Sequence, residues 1–366
     1  MRICSRRAPL LTPLRNACVL FLVACAHSAP GPNDGTDTDG PHTTTPPIQL
    51  TYNLGRDHAP AWRSDGSGLL YAFQLPGPDD FDGCLAELPP GGGTRRVEKC
   101  PLEDLAGDSV NLLGTPAISS AGRLAWVQTR SATGRISPAS AEIRVGNLIV
   151  IDTGTVVRTL PYLAQSGAVH ATVTYLHWLG ESALIYVGDD VQYLGPCQNC
   201  KPDSLLIGRE IARLDLAAGN LVTVIPGTAE ATSVWPSVDG LTIYYTIAGD
   251  SRVFRQLLAT GAVTTVHDFA PAGIARDATL SDSVLAAVVG GRVSYGVDPL
   301  IGPVQVDSGG ILYHVNLATG VATALPLAGK LFRSPALRPG ARQIAVEATD
   351  SAYGALIPDL YLFDSP

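Results

Sequence analysis

The stretch His58-Ala-Pro-Ala-Trp-Arg-Ser-Asp-Gly-Ser-Gly-Leu-Leu-Tyr-Ala-Phe73 reads as a short strand, a tight Asp65-Gly66 turn and a second, apolar strand. An Asp-Gly pair between such runs is a strong hairpin signal, because Gly takes positive φ without steric cost. Looser copies recur along the chain. Thr115-Pro-Ala-Ile-Ser-Ser-Ala-Gly122 leads into Arg123-Leu-Ala-Trp-Val127, and Ser334-Pro-Ala-Leu-Arg-Pro-Gly340 leads into Gln343-Ile-Ala-Val-Glu347. Val234-Trp-Pro-Ser-Val-Asp-Gly240 keeps the Asp-Gly turn, Val173-Thr-Tyr-Leu-His-Trp-Leu-Gly180 keeps the outline, and Asp277-Ala-Thr-Leu-Ser-Asp-Ser283 is the weakest copy.

Each copy has a second half, in which a strand ends in a Leu-x-x-Gly turn and another strand leaves it. Ile211-Ala-Arg-Leu-Asp-Leu-Ala-Ala-Gly219 into Leu221-Val-Thr-Val-Ile225 is one case, and Tyr313-His-Val-Asn-Leu-Ala-Thr-Gly320 into Val321-Ala-Thr-Ala-Leu325 is another. The flanking residues are β-branched or alternate apolar with polar. One unit is therefore four antiparallel strands, A to D, at the roughly 40–60-residue period of propeller blades. A lone four-stranded sheet cannot bury both faces, whereas radial packing of six can. The expected fold is all-β: a six-bladed β-propeller of four-stranded antiparallel blades, spanning residues 48–366. Pro358-Asp-Leu-Tyr-Leu-Phe-Asp364 looks like a C strand with no D strand after it, and Ile48-Gln-Leu-Thr-Tyr-Asn-Leu54 like a D strand with no blade before it. Pairing the two N- and C-terminal strands closes the ring.

The Pro-Ala-Trp-x-Ser-Asp-Gly block with its Leu-x-Thr-Gly partner resembles the TolB-type repeat, a relative of the WD propeller repeat, over about residues 48–366. The resemblance implies the propeller fold and says little about function. TolB's N-terminal domain has no counterpart here, which puts a role in the Tol system in doubt.

Hydrophobic residues make up 46% of the chain and charged residues 16%, with 38 Gly and 28 Pro, a turn-dense all-β composition. The first 24 residues hold Arg2, Arg6, Arg7 and Arg15 and no acid, so the formal charge of −8 becomes −12 beyond them. An acidic surface argues against nucleic acid as a partner.

Residues 1–24 have the layout of a signal peptide, with an apolar core at Ala17-Cys-Val-Leu-Phe-Leu-Val-Ala24 that is too short to span a bilayer. The core runs into Leu22-Val23-Ala24-Cys25, which matches the bacterial lipobox; that resemblance implies lipidation of Cys25 and cleavage before it. Several acyl chains anchor firmly where one is marginal. Ordinary cleavage after the Ala24-x-Ala26 pair is the alternative. Ala26 beside the cysteine implies, by the family rule, an outer-membrane address. Residues 25–47 read as a disordered tether of about 25 Å root-mean-square span.

Cys84, Cys100, Cys197 and Cys200 remain in the folded part. An exported chain meets an oxidising space, so an even count reads as disulfides. Cys84 and Cys100 flank the Gly91-Gly92-Gly93 turn and are expected to pair. Pro196-Cys-Gln-Asn-Cys200 reads as a local disulfide in an insertion; a redox pair and half a zinc site are the alternatives, but neither a thioredoxin-like βαβ unit nor a second ligand pair accompanies it.

The A–B and C–D turns are short. The B–C connections are long, at about 74–83, 129–142, 188–209, 289–310 and 347–357. Long loops on a rigid scaffold carry binding, which singles out the B–C face and the channel mouth, with Asp189, Asp190, Tyr193, Tyr295 and Asp298 as candidate binding residues beside the Cys197/Cys200 loop. No Gly-x-Ser-x-Gly elbow, His-Glu-x-x-His or phosphate-cradling glycine loop is present. No catalytic residue, metal or cofactor is expected. His170, His177 and the four tryptophans Trp62, Trp126, Trp178 and Trp235 read as strand packing. The expected function is a lipid-anchored, monomeric, non-catalytic binding or scaffold propeller of the cell envelope, held to the membrane by its N-terminal lipid and meeting a protein or envelope partner on the B–C face. The alternative is an enzyme of lyase, lactonase or cyclotransferase type with its site in the channel.

Overall fold

The repeat that opens at His58 forms antiparallel strand pairs in each of its copies, in a computed structural model that describes residues 45–52, 55–74, 83–101, 109–132, 140–149, 152–161, 167–193, 204–281, 283–291, 293–298, 302–307, 309–350 and 358–365. Strand β1 (Ile48–Gln49) comes first. Then β2 (Arg56–Trp62), β3 (Leu69–Gln74), β4 (Gly83–Leu88) and β5 (Val97–Lys99) form the first repeat. The second holds β6 (Ser109–Ile118), β7 (Leu124–Ala132), β8 (Ser140–Gly146) and β9 (Thr155–Leu160). The third holds β10 (Ala168–Leu179), β11 (Ala183–Tyr193), β12 (Ser204–Asp215) and β13 (Leu221–Val224), and the fourth β14 (Ala231–Pro236), β15 (Thr242–Ile247), β16 (Arg252–Leu257) and β17 (Val263–Asp268). In the fifth, β18 (Ala275–Leu280) and β19 (Val284–Val289) are followed by an inserted hairpin, β20 (Val293–Asp298) and β21 (Gly302–Asp307), before β22 (Ile311–Asn316) and β23 (Val321–Ala324). The chain then makes β24 (Lys330–Leu337), β25 (Gln343–Asp350) and β26 (Asp359–Asp364).

The fold is an all-β propeller of four-stranded antiparallel sheets. The third, fourth and fifth repeats are separate sheets, and β24, β25 and β26 form another whose fourth strand is β1, with Ile48 opposite Leu362. The first two repeats count as one eight-stranded sheet because a single parallel pair, Gly83 with Leu112, links them. The expected pairing of the two terminal strands is thus present.

The first strands lie in sequence order against one another, β2 by β6, β6 by β10, β10 by β14, β14 by β18 and β18 by β24, and β24 lies back against β2. The apolar core sits between successive sheets. Trp62, Tyr71 and Phe73 pack on Ala336, Leu360 and Leu362 of the last sheet. Ile143 and Val145 pack on Trp178 and Tyr186, and Val253 and Phe269 on Leu285 and Val315. These side chains are the inward half of each alternating strand.

The Pro-Ala pair of the repeat marks a bulge. In β2, β6 and β24 the register slips around Ala59-Pro60, Thr115-Pro116 and Ser334-Pro335. Proline has no N–H for the ladder. The residue before it turns to positive φ, at 53° for Ala59, 49° for Thr115 and 46° for Ser334. Tyr175 takes the equivalent place in β10 at 50° without a proline. A bulge re-aims the backbone out of the ladder, and here it frees N–H groups to face neighbouring sheets.

Cys84 and Cys100 are joined by a disulfide at the open end of the β4–β5 hairpin, with Cα atoms 4.3 Å apart, as expected. Trp62, Trp126 and Trp178 are buried between sheets. Trp235, on a first strand like Trp62 and Trp178, departs from those two: it stands one place earlier, is half-buried, and its ring lies 4.4 Å from that of His177 in the preceding sheet. Among the described residues no helix is long and apolar enough to cross a membrane.

Candidate functional site

The bulges of β10 and β24 border a cavity of about 460 Å³ whose lining is part polar and part apolar. Its wall takes Thr174 and Tyr175 from β10, Arg209 from β12, Thr232 from β14, Arg276 and Asp277 from β18, Arg333 and Ser334 from β24, and Glu347 from β25. These residues come from first strands at or near their bulges, from one third strand through Arg209 and from one second strand through Glu347.

The acids of the wall are engaged by groups from other sheets. Tyr175 Oη donates a short hydrogen bond to Asp277 Oδ1, and the bulged Ser334 N–H donates to Asp277 Oδ2 at 3.1 Å. One carboxylate therefore ties β18 to β10 and to β24. The bulged Ala59 N–H donates to Glu347 Oε1 at 2.7 Å, tying β2 to β25. The bulges at Ala59 and Ser334 supply the two backbone donors.

Burial and then the Asp277 charge push the Tyr175 phenol well above its ordinary range. Burial raises Glu347 above the usual carboxylate range, against the opposing effects of the Ala59 and Ser334 hydrogen bonds and the Arg333 charge. Tyr175 is thus a fixed donor, and Glu347 keeps its proton to higher pH than an exposed glutamate. Arg333 stands opposite Glu347 in the β24–β25 register, yet its Nε and Nη2 are sealed from solvent with no hydrogen-bond partner.

Of the residues singled out from the sequence, Asp189 reaches the cavity through a neighbour. It accepts Arg209 Nε at 2.6 Å and Thr172 Oγ1 at 2.8 Å, and so holds Arg209 in the wall. Burial opposes the Arg209 charge, but the Asp189 hydrogen bonds and charge outweigh it and keep the guanidinium protonated. Asp190 caps the His170 N–H at 2.8 Å and faces away from this set. Tyr193 lies in β11, and Tyr295 and Asp298 lie in β20, but their side chains are outside the described residues, as are Cys25, Cys197 and Cys200 altogether. His170 does more than pack: Nε2 lies 3.0 Å from Glu210 Oε1 and Nδ1 3.4 Å from Tyr186 Oη. Among the described residues no three His, Cys, Asp or Glu side chains are placed to hold a metal ion.

Tyr175, Asp277, Arg333, Ser334 and Glu347 escaped sequence reasoning. They come from three separate repeats, at or near bulges, and are joined only by folding. The available signal was the residue ahead of each Pro-Ala pair: it sits at the bulge, and Tyr175 and Ser334 are found by aligning the copies on that position.

No protein-family model and no curated protein matches the chain. Among solved structures it is similar to a luciferin-regenerating enzyme, at 11% identity and a TM-score of 0.52, covering 87% of this chain and 95% of that one. It is also similar to TolB from Acinetobacter baumannii, at 16% identity and a TM-score of 0.49, covering 82% of this chain and 65% of TolB. An oligogalacturonate lyase in complex with manganese aligns at 14% identity and a TM-score of 0.46, over 89% of this chain and 95% of the lyase. At 11% identity the first is a likeness of fold and no more.

Proposed function

We propose that this chain is a six-bladed propeller of the cell envelope, anchored by lipid on Cys25, that works as a binding protein through the cavity mouth and the B–C face around it. The six-blade count is supported by the ordered ring of contacts from β2 round to β24 and by the β1–β26 pair. Anchoring is supported by the Leu22-Val23-Ala24-Cys25 block after a basic, apolar leader.

The observation that carries binding rather than catalysis is how the cavity acids are used. Asp277, Glu347 and Asp189 each hold a backbone N–H, a phenol or a guanidinium from another strand. They brace a pocket whose acids are already committed. Such a pocket recognises; it has no free base beside a nucleophile.

One observation favours the enzymatic reading. Glu347 borders the cavity with its proton affinity raised by burial, as a general acid requires. A glutamate whose role is to brace should tolerate Glu347→Gln with full partner binding.

Intact mass of the protein from native membranes tests the anchor: a triacylated species beginning at Cys25 is expected, and an unmodified species beginning after Ala26 refutes it. Proximity labelling from cysteines placed in the 129–142 and 347–357 connections should then capture an envelope partner, and labelling no stronger than from the Val238 turn on the opposite face refutes the B–C face.

A further inference from the structure

The turn between β14 and β15 departs from its counterpart in the first repeat at two places. Aligned on Gly240 and Gly66, the fourth repeat has Val238 and Leu241 where the first has Ser64 and Ser67. The turn itself is unchanged. Asp239 Oδ1 accepts the Leu241 N–H at 3.0 Å, as Asp65 Oδ1 accepts the Ser67 N–H at 2.9 Å, and both glycines take a φ of 68°. The hairpin therefore does not require the apolar pair. Yet Val238 is 99% exposed and Leu241 63%. Leaving apolar side chains in water forgoes the free energy of burying them, and a cluster of them marks a contact surface.

Register extends the patch. Thr242 stands opposite Leu257, Gln256 stands opposite Val263, and the Leu258 N–H donates to the Leu241 carbonyl, so the A–B and C–D turns share one end of the fourth sheet. Leu257 and Val263 are exposed there. The flanking sheets add exposed Leu221 and Val321, which open β13 and β23. They face Asp215 and Asn316, which in turn face Ala183 and Val284 at the starts of the second strands, so they lie at the same end. Neighbouring sheets set their A–B turns side by side: Ser120 Oγ donates to Glu181 Oε1 at 2.7 Å, and Arg338 Nε donates to the Gly66 carbonyl at 2.9 Å. The chain enters at this end too. Ile48 of β1 pairs with Leu362 of β26, and Asp364 at the close of β26 faces Gln343 at the start of β25. Because β1 is antiparallel to β26, the chain enters it from the A–B turn side, and the segment that carries Cys25 is joined there.

We propose that the A–B turn face rests on a lipid surface, with Val238 and Leu241 at the boundary between headgroups and acyl chains, an inference that rests on the lipid anchor read above and adds which face it turns to the membrane. The anchor supplies the affinity, a tether of about 25 Å keeps the propeller within reach, and the apolar turn sets the orientation. With a net charge of −8 the chain has no general attraction to anionic lipid, so the contact is apolar and suits zwitterionic headgroups. Asp239 limits its depth. The Ser237 hydroxyl and the Leu241 N–H hold its carboxyl below the usual range, so the tip carries a charge that stays among the headgroups. The B–C face then looks away from the membrane.

A photo-reactive diazirine amino acid in place of Val238, of Leu241, or of the exposed Val169 at the other end of the sheets tests this. The full lipidated chain is reconstituted in vesicles of phosphatidylcholine and phosphatidylethanolamine, and lipid adducts are counted by mass spectrometry. On the order of tenfold more adducts are expected at Val238 and Leu241 than at Val169. With the probe at Leu257, Val238→Asp together with Leu241→Asp should cut the adducts about tenfold, because two charges are brought to the boundary. Both sites are exposed, so the substitutions leave the core intact. Equal adducts at the three positions, adducts to a second copy of the chain in place of lipid, or no change in the double variant overturns the proposal. The same probes in a chain whose residues 1–24 are replaced by a His tag, held on nickel-chelating lipid, repeat the test without acylation. Lipid adducts there, with no acyl chain on Cys25 in native membranes, refute the anchor alone. An acylated chain with equal adducts at the three positions refutes this inference alone.

Discussion

The indole nitrogen of Trp62 donates to the carbonyl of Ala336 at 3.0 Å, across a sequence separation of 274 residues. Trp178 makes the same bond to Ala117 of the preceding repeat at 3.2 Å. An arginine covers each indole, Arg338 over Trp62 and Arg123 over Trp178, and each arginine also reaches a turn of the next repeat, Gly66 O at 2.9 Å and Glu181 O at 2.8 Å. The bond joining the last sheet to the first is therefore built like one between neighbours in sequence. Trp62→Phe keeps the ring and strands the Ala336 carbonyl, which should lower unfolding free energy by about 1–3 kcal/mol. Urea titration of Trp62→Phe beside Trp178→Phe checks this, and an effect of Trp178→Phe with none of Trp62→Phe would show the last-to-first junction to be idle.

The Cys84–Cys100 disulfide closes a loop with a sequence separation of 16. Loops of that length gain roughly 3 kcal/mol in the chain-entropy account. Reductant should lower the melting temperature of the natural chain and leave a Cys84→Ser, Cys100→Ser double variant unmoved. An equal drop in both would move the sensitivity to the other cysteines.

Glu347 binds its proton more tightly folded than unfolded, because burial outweighs the hydrogen bonds that favour its charge. In the window above the unfolded value of 4.5 the native state holds more protons, so this residue's contribution is full below 4.5 and is lost as pH rises. Glu347→Gln retains an acceptor for Ala59 N. Its stability should match the natural chain at pH 4 and exceed it at pH 8. Parallel stability curves across that range refute the assignment.

His177 has the opposite sign. Burial lowers it from 6.5 to about 4, against a hydrogen bond involving the Val234 backbone. Between those values the unfolded chain takes up the proton first, so the natural protein weakens as pH falls through this window and levels off below about 4. His177→Phe removes the dependence while keeping a ring against Trp235. The difference between variant and natural chain should grow by about 3 kcal/mol at most from pH 7 to pH 4. Denaturant titrations at the two pH values measure it, and a constant difference would mean that His177 stays solvated.

Much of the fold was legible because the hairpin units are local. The Asp65-Gly66 turn, the Leu-x-x-Gly turns and strand alternation lie within a few residues of one another, and the repetition itself exposes the four-stranded antiparallel unit. The terminal strands were legible because each lacked a local partner. The cavity was not. Glu347 reads as an ordinary strand residue until the Ala59 N–H, supplied by a proline-driven bulge 288 positions away, takes its oxygen. Asp189 was chosen for standing in a long connection, and its role is to hold Arg209, which composition cannot reveal. Trp235 looked equivalent to Trp62 because residue type is visible and register is not.

The pairing of Ile48 with Leu362 ties the first described strand to the last. A nascent chain leaves the ribosome in order, so β1 emerges well before β26, its partner, exists. Until Asp359–Asp364 is made, β25 has an uncovered edge and Leu50 N lacks the Leu360 carbonyl it bonds at 2.7 Å. Among the described strands, this pair joins segments more than 300 residues apart, and it waits for residues 359–364. A chain stopped before residue 359 would therefore carry two uncovered edges, that of β1 and that of β25, which Asp359–Asp364 otherwise pairs.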